Sequence, residues 1–78
     1  MARFVSPQRL RAAREKAGLR REVVAVSMRR SHATIVAYER PTGWTEPPAR
    51  VLLQLAELYG CSIEDFIADE EEPEAVAQ

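Results

Sequence analysis

Arg21–Arg40 reads REVVAVSMRRSHATIVAYER, and this stretch decides the fold. Its apolar residues fall into two short helical sets, Val23, Val24 and Met28, then Ile35 and Tyr38. Between them lies a polar, basic break, Arg29-Arg30-Ser31. Ser31 suits an N-cap, because its hydroxyl can accept a backbone N–H that the first turn of the next helix would otherwise leave orphaned. Short helix, tight basic turn and Ser-capped short helix are what a helix-turn-helix needs. The second helix is expected to present His32, Ala33, Val36 and Ala37 outward, with Ile35 and Tyr38 in the core. In that motif the second helix enters the major groove of DNA.

The flanking chain supplies the rest of a helical domain. Ser6-Pro7 offers a capping hydroxyl followed by proline at the first helical position, so the spacing predicts a first helix with Leu10, Ala13 and Ala17 on one face. Gly18 sits where a left-handed residue ends a helix, and Leu19 then turns into the core. The second helix is predicted over Arg21–Met28, with Ala25 small enough for a close crossing. The third runs from His32 to Tyr38 or Glu39. Pro41 and Gly43 break the chain, leaving Trp44 in a loop, packed there or contacting a partner. Thr45 is expected to cap a fourth helix that begins with Pro47-Pro48 and buries Val51, Leu52, Leu55, Ala56 and Tyr59, with Leu53 and Leu58 flanking. Gly60 ends it. Ser62 and Asp65 resemble a capping box that opens a fifth helix, Ile63–Ala68, burying Ile63, Phe66 and Ile67. Cys61, Tyr38 and Tyr59 read as core. The expectation is an all-α, compact five-helix domain over residues 1–68, with no strands. Met1–Val5 is expected to be poorly ordered, and the acidic segment 69–78 to be a disordered tail.

Composition narrows the functional classes. A chain of 78 residues holds one domain with a small core. A lone cysteine excludes an intramolecular disulfide, and one His with one Cys does not make a zinc site, so no metal and no cofactor are expected. No apolar run approaches the roughly 20 residues that span a bilayer, and MARFVSPQ lacks the apolar centre of a signal peptide. A cytoplasmic, nucleoid-associated protein without membrane contact is the expectation. No nucleophile–base pair, carboxylate pair or phosphate-cradling glycine loop stands out, which argues against an enzyme. The net charge of −1 conceals a segregation: residues 1–41 carry ten basic and three acidic side chains, a balance of +7, and residues 42–78 carry one against nine, a balance of −8. A polyanion meets a face and not an average.

Residues Leu10–Phe66 resemble the Cro/lambda-repressor (Xre-type) helix-turn-helix family. The likeness rests on RLRAAREKAGL (Arg9–Leu19), on Arg21–Arg40, and on LLQLAELYGCSIEDF (Leu52–Phe66), which holds the family's L-x-x-L-A-x-x-x-G-x-S pattern. It implies a lambda-repressor-like fold and a partly buried ion pair between Arg14 and Glu39. It places Arg21 where the family has Gln touching a DNA phosphate. His32, Ala33, Val36 and Ala37, with Thr34 at the edge, stand where the family reads bases. Two departures stand out. Arg29-Arg30 replaces the family's Gly-Val in the turn, and the loop before the fourth helix is about two residues longer and lacks basic side chains, which leaves Trp44 to meet the DNA backbone there.

The function this implies is sequence-specific recognition of double-stranded DNA by a repressor or Cro-like regulator of phage or mobile-element type. Arg20, Arg21, Arg29, Arg30 and Arg40, with the Ser31 hydroxyl, are the expected phosphate contacts. With few hydrogen-bonding groups on the reading face, specificity would come from a homodimer on a palindromic operator and from DNA shape. The alternatives are the DNA-binding antitoxin of a toxin–antitoxin pair, and a protein-interaction module of the same fold. A protein partner would meet Trp44 or the acidic tail.

Overall fold

The computed structural model describes residues 3–69. A strand β1 (Arg3–Val5) leads into helices α1 (Pro7–Lys16), α2 (Arg21–Met28), α3 (His32–Glu39) and α4 (Ala49–Tyr59). A 3₁₀ turn (Ile63–Phe66) and a strand β2 (Ile67–Asp69) complete the order. The helical class fits, but the helix count does not: there are four α-helices among the described residues, and the expected fifth is a single 3₁₀ turn. The cause is the strand pairing beyond Phe66. That ring is fully buried, and the next three residues extend to pair antiparallel with β1, Val5 opposite Ile67 and Arg3 opposite Asp69. A helix continuing to Ala68 would forgo that ladder and leave β1 without a partner.

The strand pair overturns the expectation of a domain without strands, and with it that of a loose Arg3–Val5. Arg3–Val5 is ordered, with Val5 in the core and Arg3 bridging to Glu64 (3.1 Å) and Asp69 (3.3 Å). β2 includes Asp69, the first residue of the segment expected to be a tail; Met1, Ala2 and residues 70–78 lie outside the described residues.

The helix ends obey local chemistry. Ser6 caps α1 through its hydroxyl, which accepts the Arg9 N–H at 3.2 Å, with Pro7 next. Helices α1, α2 and α4 end alike, with a left-handed residue (Gly18, Arg29, Gly60) and an N–H one position later reaching back five residues, Leu19 to Arg14, Arg30 to Ala25 and Cys61 to Ala56. Helix α4 starts two residues later than expected. Pro48 occupies its N-cap, and the Thr45 N–H donates to the Ala37 carbonyl at 3.1 Å, so Thr45 closes the end of α3 and caps nothing. The predicted capping box forms on the 3₁₀ turn, where the Ser62 N–H donates to Asp65 Oδ2 at 3.1 Å.

One core gathers Val5, Leu10, Val24, Ile35, Tyr38, Val51, Leu55 and Phe66, with the Tyr59 and Phe66 rings edge to face, centroids 6.2 Å apart. The α4 stripe is buried as expected. Val23 is not part of the core: it is 42% exposed, and Val24 with Ala25 forms the inner face of α2. Ala17, at the α1 C-cap, is also exposed. No helix among the described residues is long and apolar enough to cross a membrane.

Candidate nucleic-acid interface

Helix α3 is built from its cap outward. The Ser31 hydroxyl accepts the Thr34 N–H at 3.1 Å and lies 2.9 Å from the Thr34 hydroxyl. Each hydroxyl carries one hydrogen, so the pair spends one internally and keeps one to donate outward. His32 and Ala33 come next on the exposed first turn, while Ile35 and Tyr38 are buried as expected. Val36 and Ala37 are half-buried, so the exposed face narrows toward the middle of the helix.

The other end of α3 is anchored by Glu39. Its carboxylate accepts Arg14 Nε at Oε2 (2.8 Å) and Arg21 Nε at Oε1 (3.2 Å). Arg14 and Glu39 side chains are 7% and 3% exposed, and Arg14 Nη1 also donates to the Leu19 carbonyl at 2.8 Å. Burial acts to lower the Arg14 pKa, but the hydrogen bond and charge of Glu39 outweigh it and hold the guanidinium above its ordinary value. One carboxylate therefore ties the end of α3 to the body of α1 and to the first residue of α2.

The Arg14–Glu39 pair was expected; the Arg21 arm was not. Arg21 reads from sequence as a free phosphate contact, yet its Nε is committed to Glu39 and its side chain is 34% exposed. No sequence signal marks that bond, since the partners lie 18 residues apart on different helices. Arg40 directs Nε to the Gly43 carbonyl (3.1 Å), folding the loop back on the helix end. By contrast, Arg29 and Arg30 are exposed and neither forms a side-chain hydrogen bond or ion pair among the described residues. Arg20 is exposed at the α2 N-cap.

Of the readings open for Trp44, packing in its loop or contact with DNA or a partner, the structure bears out the first. Its indole N–H donates to the Tyr38 carbonyl at 2.6 Å, and the ring is partly buried against the core. That satisfies an orphaned carbonyl in the last turn of α3 and commits the one side-chain donor Trp44 could have offered to a phosphate.

Glu22, on the second position of α2, was not singled out from the sequence. Its Oε2 lies 4.0 Å from His32 Nε2. Its carboxyl sits below the usual range, first through its own backbone N–H and then through His32, Arg20 and Arg21. Burial pushes the Cys61 thiol and the Tyr59 phenol up, so both stay protonated at neutral pH.

A Ser-capped helix with an exposed polar first turn, preceded by two cations unpaired among the described residues and braced at its far end, suits contact with a polyanion. Residues 8–66 match the family described as the helix-turn-helix domain. No curated protein and no solved structure matches the chain.

Proposed function

The chain belongs to the helix-turn-helix domain family of DNA-binding proteins, and from that premise we propose that it is a Cro/lambda-repressor-type transcriptional regulator binding double-stranded DNA. Helix α3 lies in the major groove. His32, Ala33, Thr34, Val36 and Ala37 face the bases, and Ser31, Arg29, Arg30 and Arg20 hold phosphates. Arg21 and Arg40 serve first to position α3 and its neighbouring loop, and reach phosphate with whatever guanidinium N–H groups remain. The protein acts in the cytoplasm on double-stranded DNA without catalytic chemistry or a cofactor, as a homodimer on a palindromic operator.

The observation that carries this reading is the pairing of Arg29 and Arg30, both exposed and without partners among the described residues, with the Ser31-capped helix directly after them. Exposed arginines beside a helix N-terminus are poised to replace the counterions of a phosphate backbone. The test is selection of bound sequences from random duplexes, then anisotropy titrations at two salt concentrations. The expected outcome is an inverted repeat, with a log–log salt slope that falls by about 0.9 for each phosphate-contacting arginine replaced by alanine. Retention of no duplex at low salt would reject the proposal and leave the protein-interaction reading of the same fold. Light scattering on the free and bound protein checks the dimer.

A further inference from the structure

Glu22 is an acidic side chain on the face proposed to meet phosphates, where a carboxylate by itself would repel the ligand. It is 70% exposed, and its Oε2 is 4.0 Å from Nε2 of His32, the first residue of the reading helix. Both side chains are exposed, and the contact is an ion pair only when His32 carries its second proton. We propose that Glu22 is a positioning residue for base recognition: it takes Nε2 of His32, leaves Nδ1 toward the groove, and supports His32 as the cation that reads guanine. This rests on the DNA-binding reading of the domain.

The chemistry of the two nitrogens carries the argument. With Nε2–H held by a carboxylate, neutral histidine has only a lone pair at Nδ1, an acceptor suited to the amino groups of adenine or cytosine. When a second proton is added, Nδ1–H becomes a donor, suited to guanine O6 or N7. The charges around the ring are of both signs: the Glu22 carboxylate on α2 is negative, while Arg20 and Arg21 at the start of α2, Arg29 and Arg30 in the turn, and the N-terminal end of α3 are positive. On a duplex those arginines face phosphates that offset their charge, so their opposition to the cation weakens while Glu22 remains. Recognition of guanine then takes up one proton, and Glu22 is what makes that proton easy to hold.

His32 is the only histidine in the chain, which makes the test direct. The full-length protein and its Glu22→Gln and His32→Gln variants are titrated by anisotropy with the duplex recovered by selection, at about pH 6 and about pH 8, spanning the ordinary histidine range. One linked proton sets a ceiling of roughly tenfold in affinity per pH unit. The wild type should bind roughly tenfold tighter at the lower pH. His32→Gln should lose that difference, and Glu22→Gln should lose most of it while binding better than wild type at the higher pH, where its charge no longer repels phosphate. Replacing the guanine read by His32 with adenine should shrink the pH effect in the wild type alone. Circular dichroism of each variant separates a folding defect from a reading defect. If His32→Gln or Glu22→Gln keeps the wild-type pH difference, the inference is overturned while DNA binding stands. If no protein retains any duplex at either pH in dilute salt, the DNA-binding reading falls and this inference with it.

Discussion

Arg29 ends α2 with φ 57°, the only non-glycine residue with a positive φ among those described. At the equivalent points of α1 and α4 the chain places Gly18 and Gly60, which adopt that conformation without a Cβ penalty. An arginine there costs stability, and its exposure beside the Ser31-capped helix points to a gain in charge. Arg29→Gly should therefore raise unfolding free energy by about 1 kcal/mol, the relief of strain being partly offset by a more flexible unfolded chain. Urea denaturation measures this. The same variant should bind DNA more weakly, with the salt slope reduced by about 0.9. A variant that is both more stable and equally tight in binding would mean that Arg29 has no phosphate role. His32 and Glu22 belong to this scale too, because their roles are set by one charge contact and by which ring nitrogen it occupies.

Helix α3 has eight residues and would not persist alone in water. Its position depends on what grips its two ends: the Ser31 cap at one, and Glu39 with the Trp44 and Thr45 bonds at the other. Glu39 is central, because its removal leaves the buried Arg14 guanidinium uncompensated. Glu39→Ala should destabilise the fold by about 3 kcal/mol or more. Arg21→Ala, which removes only the outer, partly solvated arm, should cost at most about 1 kcal/mol. Chemical denaturation of both variants tests the ranking. Equal losses would show that the Arg21 arm, and not the buried Arg14 arm, carries the worth of the Glu39 anchor. The separation matters for function, since a loss of affinity in Arg21→Ala without loss of stability would assign its remaining N–H groups to the phosphate backbone.

At the scale of the whole molecule, a small core is closed by its two ends. β1 and β2 pair across nearly the full length of the described chain, Val5 packs into the core, and the Ser6 N–H bonds to the Phe66 carbonyl at 2.8 Å. Small domains bury little surface, so each buried side chain is a sizeable share of stability. Removing residues 1–5 should cost about 2 kcal/mol, the burial of one valine with its strand pairing. That should lower the melting temperature by about 10 °C for a domain of this size. Arg3→Ala, which loses only exposed ion pairs, should change it little. If the truncation melted like the intact chain, the sheet would be incidental to the fold. The charge division matches the same architecture: the cationic half of the sequence forms α1 to α3, and acidic side chains such as Glu57, Glu64 and Asp65 lie on α4 and the segments after it.

Most of the helical frame was legible in the residues because its signals are local. Ser6-Pro7, Gly18, Ser31 and Gly60 mark helix ends through bonds to backbone groups within a few positions, and the Val51–Tyr59 stripe shows which face of α4 is inside. The exposure of His32 and Ala33 on α3 came from the same periodicity, though Val36 and Ala37 are half-buried, and the Arg14–Glu39 pair came from resemblance. What stayed hidden depends on partners distant in sequence or on competition for one group. Residues Arg3–Val5 look like a loose end until Ile67–Asp69 lies beside them. Arg21 looks like a free cation until α3 places Glu39 against it, and Trp44 looks available until the Tyr38 carbonyl claims its N–H. By itself the sequence determined where helices start, stop and turn their apolar sides, because those preferences are settled within one or two turns of chain. Only the tertiary structure decided which charged and polar groups remain free for a ligand, because a donor's availability depends on the acceptors that folding brings within hydrogen-bonding distance of it.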